Sequence, residues 1–329
     1  MSQFDTVIER KGTYSVKYNE KVIKSFANNE KALPFWVADM DFATPQVILD
    51  AIKKELDSSI LGYPYIQHVA QSFISFAQKK HDISFDPSLV VVAPGMLSSI
   101  AILIELYSNK GDSIILPFPS YHPFVDIINT LERKVLPWPL IYNDETHTFT
   151  LDFPLLKELT KDNNSPILLF CSPHNPTGIV FSKEELEEIA KIVKESSMMV
   201  ISDEIHADLA FNGEKHIPFH QIASEYNIPC ITCMAPSKTF NIAGEHFSIA
   251  ICSDKKIYIN LVKRLKSLHV APDVLATVAS KAAYEKGYEW LISLIDYLEE
   301  NIKVIEDLLK EYGSHISIVK PEASFIAFL

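Results

Sequence analysis

The sequence has few glycines, and the glycine patterns that mark several common protein classes do not occur in it. Nine glycines are spread over 329 residues, and neither G-x-G-x-x-G nor G-x-x-x-x-G-K-[ST] is present. Dinucleotide binding of the Rossmann kind and P-loop phosphate binding therefore lack their sequence mechanism. The H-E-x-x-H and G-x-S-x-G patterns are also missing, which argues against zincin and α/β-hydrolase chemistry.

Basic residues and long apolar runs are scarce as well. The chain has 30 lysines and arginines against 42 aspartates and glutamates, which gives a formal net charge of -12. An acidic chain lacks the basic face that binding to nucleic acid phosphates requires. No apolar run approaches the roughly 20 residues of a membrane span, and the N-terminal stretch alternates in charge and polarity, unlike a signal peptide. We expect a cytoplasmic protein with no nucleic acid or membrane partner.

Cysteine is limited to Cys171, Cys230, Cys233 and Cys252. The Cys230-x-x-Cys233 pair suggests a metal or redox site, but it lies in an apolar, strand-like run, IPCITCMA. Residues three apart on a strand point to opposite faces of the sheet. We therefore expect buried, reduced thiols, and neither a metal site nor a disulfide bond.

The order of apolar and polar runs predicts an α/β fold. A chain of 329 residues is too long for one small core, so we expect a large domain with a smaller one. From Val90 onward, short apolar runs alternate with helical stretches, and the continuous run PILLFCS (166–172) is typical of a buried parallel strand. Ser182-x-x-Glu185 predicts a capping box at the start of an amphipathic helix. This alternation predicts a largely parallel sheet between helices.

The pattern after Lys255 is mostly helical and includes a long helix from Glu289 to about Tyr312. Two strand-like apolar runs follow, ISIVK (316–320) and ASFIAFL (323–329), and the chain stops inside the second run. A native domain seldom ends in the middle of a strand. We therefore expect the smaller domain to be truncated at its C-terminal end.

Three polar segments stand at the ends of predicted strands: SPHNPTG (172–178), SDEIH (202–206) and APSKTFN (235–241). Open parallel sheets bind ligands at the carboxyl ends of their strands, so Asn175, Asp203 and Lys238 are expected to meet at one edge. Each residue alone has an ordinary structural explanation. A lone lysine is commonly a solvated charge, an aspartate after a strand is commonly a cap, and Asn-Pro-Thr-Gly is a favourable turn sequence. Only the combination points to a function.

The three segments, in this order and at these separations, resemble the cofactor motifs of the fold-type I aminotransferase superfamily. Together with FWVADMDF (35–42) and LGYPY (61–65), they are similar to the branch that contains cystathionine β-lyases and related carbon–sulfur lyases. The similarity extends from about Phe4 to Leu329. It implies an α/β enzyme that uses pyridoxal 5'-phosphate (PLP). It also implies a large PLP-binding domain over residues 46–285 and an incomplete, smaller α+β domain formed by residues 1–45 and 286–329.

The resemblance implies roles for five residues around the cofactor ring. Lys238 resembles the lysine that binds the cofactor covalently and later removes the substrate α-proton, which requires a lowered pKa. Asp203 resembles the carboxylate that keeps the pyridine nitrogen protonated, and Asn175 resembles the amide that donates to the ring oxygen. Tyr121 resembles the aromatic residue that stacks on the ring. His206 occupies a position where other aminotransferases have a tyrosine, and we expect it to support Asp203 or the ring oxygen. The predicted catalytic residues are Lys238, Tyr121 and Asp203.

The phosphate and the oligomeric state follow from the same resemblance. Gly95, Met96 and Leu97 open a predicted helix after a strand, where backbone N–H groups and the helix dipole favour an anion. The hydroxyl of Ser237 is expected to add a hydrogen bond to the phosphate. Tyr63 resembles the tyrosine that reaches the phosphate of the neighbouring subunit. The resemblance therefore implies a homodimer with Tyr63 shared across the interface.

The sequence departs from the family pattern in two places. After PSKTFN the family usually continues Ile/Leu-Ala-Gly-Leu, whereas Glu245 follows Gly244 here. Family members also continue for several dozen residues beyond ASFIAFL and carry an arginine there that grips the substrate carboxylate, the role for which a bidentate guanidinium is preferred. No such arginine can be assigned in this sequence, so we expect amino acids to bind weakly.

The cofactor motifs are common to two reactions of amino-acid substrates. The match to the lyase branch favours β-elimination of cystathionine or another cysteine S-conjugate to pyruvate, ammonia and a thiol. A PLP-dependent aminotransferase is the first alternative. A catalytically weak, regulatory PLP-binding relative is the second, motivated by Glu245 and by the missing C-terminal continuation.

Overall fold

A central sheet with helices on both faces organises the chain. The computed structural model describes residues 2–29, 31–161, 164–313 and 315–329. The strands in this part of the chain are β1 (Val90–Ala93), β2 (Ser113–Phe118), β3 (Lys134–Pro139), β4 (Ile141–Asn143), β5 (Thr148–Thr150), β6 (Ile167–Cys171), β7 (Met199–Asp203), β8 (Cys230–Met234) and β9 (Ser248–Cys252). The helices are α1 (Glu20–Ala27), α2 (Gln46–Asp57), α3 (Gln67–His81), α4 (Met96–Tyr107), α5 (His122–Thr130), α6 (Phe153–Leu159), α7 (Lys183–Glu195), α8 (Phe219–Tyr226), α9 (Pro236–Thr239), α10 (Lys255–Leu268), α11 (Val274–Lys286) and α12 (Tyr288–Tyr312). Three 3₁₀ turns cover Gln3–Asp5, Pro87–Leu89 and Ala207–Leu209.

The main sheet has seven strands in the order β1-β9-β8-β7-β6-β2-β3. Strand β9 is antiparallel to both of its neighbours, and the pairs from β8 to β3 are parallel. Six strands therefore run in one direction and one runs in the other. The predicted α/β fold with a mostly parallel sheet is confirmed, and the carboxyl ends of β6, β7 and β8 lie side by side.

The apolar strand runs are explained by burial on both faces of the sheet. In β6, Ile167 and Leu169 pack in one apolar layer with α4, α5 and α10. Leu168 and Phe170 point to the opposite layer, which is formed with α6, α7 and α8. Successive side chains of a strand alternate between faces, so a central strand with helices on both sides must be apolar throughout.

The predicted start of the amphipathic helix α7 is confirmed. The hydroxyl of Ser182 accepts a hydrogen bond from the backbone N–H of Glu185, and the Glu185 carboxylate accepts one from the backbone N–H of Ser182 at 2.8 Å. This reciprocal cap satisfies two donors that the first turn of a helix would otherwise leave without a partner.

A third apolar cluster joins α2, α3, α11 and α12 to the edge strand β1 and its neighbour β9. Phe4 belongs to it and packs against Trp290 of α12, with ring centroids 5.4 Å apart. Phe240, which follows α9, is fully buried in the same cluster and contacts Phe76. The N-terminal residues and the long C-terminal helix are thus packed against the turn that carries Lys238. The division into residues 46–285 and the remainder stays a prediction.

The prediction of two strands after α12 is wrong. Residues 315–329 form only isolated bridges, Val319 with Phe328 and Ala323 with Ala210. Pro321 separates the two apolar runs and has no N–H to contribute to a strand ladder. The neighbouring N–H groups of Glu322 and Ala323 donate instead to the carbonyl of Gly178, at 3.0 and 2.9 Å. This segment is therefore attached to the SPHNPTG turn beside the sheet.

All four cysteines are buried, as their apolar strand runs predict, and none of them forms a disulfide bond. Burial raises the pKa of the Cys230 and Cys233 thiols above the ordinary range, so these thiols are neutral. Within the described ranges, no helix is both long and apolar enough to cross a membrane.

Candidate active site

The ends of three neighbouring parallel strands bring the predicted chemical groups together. The register pairs Cys171 of β6 with Asp203 of β7, and Asp203 with Cys233 of β8. The three strands therefore end at the same level. Asn175 follows β6, and Lys238 follows β8. Parallel pairing alone places an amide, a carboxylate and an amine at one edge of the sheet.

A cavity of about 300 Å³ opens at this edge. All predicted site residues except Tyr63 line it: Gly95, Met96, Leu97, Tyr121, Asn175, Asp203, His206, Ser237 and Lys238. The cavity is at the small end of the range found for cofactor and ligand sites. Residues that are far apart in the chain, from Gly95 to Lys238, thus line one cavity.

Lys238 lies on the single-turn helix α9 and is largely shielded from solvent. Its Nζ donates a hydrogen bond to the carbonyl oxygen of Ala38. Burial lowers the pKa of Lys238, and the charges of Asp39 and Asp203 oppose that shift. The neutral amine, which is the nucleophilic and basic form, is therefore more accessible here than for a solvated lysine.

Asp203 ends β7 with its side chain buried at the base of the cavity. Its carboxylate accepts a hydrogen bond from the backbone N–H of Ile205 at 3.0 Å. Burial raises the pKa of Asp203 to about 7, helped by the charge of Glu204 and opposed by the Ile205 hydrogen bond and the charge of Lys238. A cationic N–H donor in the cavity would favour the carboxylate form.

Asn175 is held by a closed turn. The N–H of Gly178 donates to the carbonyl of His174 at 2.7 Å, and the ring of His174 bonds to the hydroxyl of Thr177 at 2.8 Å. Both side chains are buried, and burial lowers the pKa of His174 to about 4, so the ring is neutral. His174 and Thr177 thus fix the turn, and Asn175 remains available on the cavity wall.

His206 is bonded to Ser324 and not to Asp203. Its Nδ1 lies 3.1 Å from the hydroxyl of Ser324, while its Nε2 is buried and has no hydrogen-bond partner among the described residues. Burial and the charge of Lys238 lower the pKa of His206 to about 3, so the imidazole is neutral. A buried polar atom without a partner is costly. The ring nitrogen on this wall is therefore suited to a polar ligand atom.

The start of α4 forms another part of the cavity wall. Gly95 precedes the helix with φ +81°, a conformation that favours glycine. The first-turn N–H groups of Met96 and Leu97 have no intrahelical partner by helix geometry, and they line the cavity beside Ser237. An anion is favoured at such a helix end.

Tyr121 provides the aromatic surface of the cavity. It directly precedes α5, and its ring packs edge-to-face on Phe124 with centroids 5.4 Å apart. Burial and the charge of Asp203 raise the pKa of Tyr121. The phenol is therefore neutral at physiological pH.

Tyr63 lies outside the cavity and its side chain is fully exposed. It lines a surface groove together with Leu61, Pro64 and Asp273. The cross-subunit role predicted for Tyr63 stays a prediction.

Three further residues shape the site and were missed by sequence reasoning. Ala38 places its carbonyl against Lys238. Asn241 bonds to the segment around it, donating to the carbonyls of Met40 and Phe42 at 3.0 and 2.7 Å. The imidazole of His246 lies beside the start of α4, since a Cβ at Gly95 would be 3.4 Å from its Nδ1. Only the FWVADMDF motif could have indicated Ala38.

Glu245, the unusual residue after Gly244, also lines the cavity. Burial raises the pKa of its carboxyl group, and the charge of Asp273 adds to that shift. The neighbouring His246, which lines the same cavity, opposes that shift. Among the described residues, the Glu245 side chain forms no hydrogen bond and no salt bridge.

The donor set suits one kind of ligand. A buried carboxylate, a neutral histidine and an amide surround the position of a polar aromatic ring, and an amine of lowered pKa lies on the same wall. A helix N-terminus with a nearby hydroxyl suits a phosphate. These residues fit a phosphorylated, cationic heteroaromatic aldehyde such as PLP.

Comparison with known proteins agrees with this chemistry. The sequence model of the aminotransferase class I and II family matches residues 30–329. The chain is 34% identical to cystathionine beta-lyase PatB of Bacillus subtilis over 328 residues, which is 99% of this chain and 84% of PatB. It superposes on cystalysin of Treponema denticola, whose crystal structure contains PLP, with a TM-score of 0.92 at 31% identity, covering 98% of this chain and 82% of cystalysin. It superposes on the PLP-bound C-S lyase of Staphylococcus hominis with a TM-score of 0.90 at 33% identity, covering 98% and 81% of the two chains.

Proposed function

The chain belongs to the aminotransferase class I and II family, and on this basis we propose that it is a PLP-dependent carbon–sulfur β-lyase. It converts cystathionine or another cysteine S-conjugate, with water, into pyruvate, ammonia and a thiol. The observation that carries the proposal is the convergence of Lys238, Asp203 and Asn175 on one cavity. The lyase names of the relatives support elimination as the reaction.

The proposed residue roles follow from the environment of each group. Lys238 is the amine to which PLP attaches, and its Nζ takes the proton from the substrate α-carbon. When bound, PLP supplies an electron sink for the negative charge that develops on that carbon. Asp203 holds the proton on the ring nitrogen, because a buried carboxylate is stabilised by a cationic partner. Asn175 and His206 would donate to the ring oxygen, and Tyr121 would pack on the ring, since all three line the cavity.

The phosphate is assigned to the start of α4. The N–H groups of Met96 and Leu97 and the hydroxyl of Ser237 are the proposed donors, with Gly95 allowing close approach of the backbone. His246 is proposed as a further donor because its ring lies beside Gly95. A neutral imidazole donates one hydrogen bond, whereas its protonated form adds a positive charge.

A homodimer is the proposed assembly. Tyr63 and its neighbours Ile60, Leu61 and Tyr65 are exposed in the single chain, and an apolar exposed patch is typical of a protein–protein contact. In the proposed dimer, Tyr63 of one subunit reaches the phosphate site of the other. The cytoplasm is the proposed location, supported by four cysteines that are all unpaired, as is usual in a reducing compartment.

The reaction is tested by measuring pyruvate from cystathionine with PLP and without any keto acid. The proposal predicts pyruvate and thiol in equal amounts. If turnover required a keto acid and pyruvate did not accumulate, the chain would be an aminotransferase. If PLP bound but no cysteine conjugate reacted, the catalytically weak, regulatory reading would be correct.

A further inference from the structure

A chain of buried hydrogen bonds lies directly behind Lys238. The hydroxyl of Thr239 donates to Asp208 Oδ2 at 2.7 Å, and Asp208 Oδ1 lies 2.7 Å from His81 Nε2. Thr239 and Asp208 are buried, and the side chain of His81 is 4% exposed. We refer to His81, Asp208 and Thr239 as the Asp208 network.

The network joins three elements that meet nowhere else through side-chain hydrogen bonds in the described part of the chain. Thr239 directly follows Lys238 on α9, a helix of four residues. Asp208 lies on the 3₁₀ turn that begins four residues after Asp203. His81 is the last residue of the fifteen-residue helix α3. The network therefore ties the Lys238 turn to the segment after β7 and to a long, packed helix.

The Asp208 carboxylate has its stabilising partners within the protein. The hydrogen bond and charge of His81, together with Thr239 and Lys80, lower the pKa of Asp208 despite the opposing effect of burial. The Glu204 carboxylate also has its hydrogen-bond partners within the protein. They are the hydroxyl of Ser202, the N–H of Phe219 and the ring of His216. Asp203, by contrast, faces the cavity. Asp208 does not line the cavity, so we expect it to act through its contacts inside the protein.

A short helix has little hydrogen bonding of its own to fix its orientation. In α9 the backbone N–H of Phe240 bonds to the carbonyl of Pro236 at 2.9 Å. The lysine side chain has four flexible carbons, so the direction of the amine depends on the peptide that carries it. The Thr239–Asp208 bond restrains that peptide from within the protein, since both side chains are buried and neither lines the cavity.

We propose that Asp208 and Thr239 are positioning residues that hold the Lys238 turn in the orientation required for attachment of PLP and for proton transfer. The inference rests on the proposed function, since the orientation of Lys238 matters only if its amine carries the cofactor. Small misplacements of a reacting group are known to cost on the order of 100-fold in rate. We therefore expect loss of the Thr239–Asp208 bond to lower the rates of PLP attachment and turnover more strongly than it lowers the stability of the fold.

The test compares two replacements of one side chain. Thr239→Val keeps the volume and removes the hydroxyl, whereas Thr239→Ser keeps the hydroxyl and removes a methyl group. Thr277→Val is the matched control, because Thr277 is also buried and bonds to the carbonyl of Asp273 at 2.6 Å, but it does not line the cavity. Each protein is stripped of cofactor and mixed with PLP. Attachment is followed by absorbance and by the mass increase after borohydride reduction, and kcat and KM are then measured with cystathionine.

Thr239→Val is expected to slow attachment and to lower kcat by about 10- to 100-fold, with KM within about 3-fold. Thr239→Ser restores both rates to within about 3-fold of wild type, and Thr277→Val changes only the unfolding midpoint. If Thr239→Val attaches PLP and turns over at the wild-type rate, the proposal is overturned, and the network only stabilises the fold. If Thr239→Val does not fold, Thr239→Ala replaces it, because alanine also lacks the hydroxyl, and a wild-type attachment rate in that variant likewise overturns the proposal.

The lyase function and the positioning role of Thr239 are contradicted by different results. Attachment is measured with PLP alone, so normal attachment in the wild type without pyruvate release contradicts only the lyase function. Equal attachment in the wild type and Thr239→Val contradicts only the positioning role. A wild-type chain that attaches no PLP contradicts both.

Discussion

At the scale of single residues, the site depends on how burial changes the protonation of a few groups. An amine becomes a better base when its charged form is poorly solvated, and burial has this effect on the pKa of Lys238. The same burial raises the pKa of Asp203 to about 7. The two groups therefore suit a ligand that forms a covalent bond with the Lys238 amine and places a cationic group beside the Asp203 carboxylate. PLP does both.

Replacement of Lys238 by alanine removes the only amine on the cavity wall among the described residues. We expect no borohydride-stable mass increase with PLP and a loss of lyase activity of at least about 1,000-fold, since the attached cofactor and the base are lost together. Mass spectrometry after reduction measures the first effect. Lys256→Ala, at an exposed position on α10, should retain the mass increase. If Lys238→Ala still gained the cofactor mass, another lysine would be the attachment site.

The buried carboxyl of Asp203 makes the cofactor-free protein sensitive to pH. Its folded pKa of about 7 lies above the ordinary value of about 3.9, so the folded state holds the proton more tightly than the unfolded state. Stability from this group is complete below about pH 4, falls as the pH rises to 7, and is lost above it. Asp203→Asn should therefore be more stable than wild type at pH 8, by a few kcal/mol, and similar to it at pH 4. Urea midpoints at both pH values measure this, and an equal difference at both would refute it.

At the scale of elements, the turn after β6 depends on its contact with the C-terminal segment. Gly178 has φ +73°, and a Cβ there would lie 2.8 Å from the Cβ of Pro321 and 3.0 Å from the carbonyl oxygen of Ala323. Glycine is therefore required at position 178 for two reasons: its left-handed backbone conformation and the close approach of the C-terminal segment. Asn175 lies on the same turn, so packing of the C-terminal segment bears on the cofactor site.

Gly178→Ala and Gly213→Ala separate these two causes. Gly213 has φ +82° and open space around its Cβ position, so its replacement should cost only the left-handed conformation, about 1–2 kcal/mol. Gly178→Ala adds overpacking against Pro321 and should cost about 3 kcal/mol or more. Denaturant unfolding measures both, and PLP titration should show weaker binding only for Gly178→Ala. Equal losses in the two variants would mean that the contact with Pro321 relaxes freely.

The local patterns that predicted elements correctly are those that depend on a single segment. The capping box of α7 and the apolar run of β6 are properties of neighbouring residues, and both are present in the structure. The runs 316–320 and 323–329 have the same apolar character but no adjacent strand to pair with, apart from isolated bridges. Strand formation needs a partner, and the sequence of one segment does not supply it.

At the scale of the whole molecule, the proposed dimer makes a prediction that no single variant can test. Lys238→Ala and Tyr63→Ala should each be nearly inactive as homodimers. In a mixed dimer, one site receives Lys238 from one subunit and Tyr63 from the other, and is therefore intact. Random reassociation of equal amounts should restore about a quarter of the wild-type sites. Activity of the mixture measured against each parent tests this, and the absence of any recovery would place Tyr63 outside the partner's site.

The sequence alone determined the class of the fold and the edge of the sheet at which the site lies. Strand and helix patterns are local, and parallel strands must end together, so Asn175, Asp203 and Lys238 had to converge. Tertiary structure decided the rest, because Ala38 reaches Lys238 and Met40 bonds to Asn241 across about 200 residues of chain. The unpartnered Nε2 of His206, the position of His246 and the Asp208 network likewise arise only from packing. Contacts of this kind depend on how the layers pack around the sheet, and no local pattern encodes them.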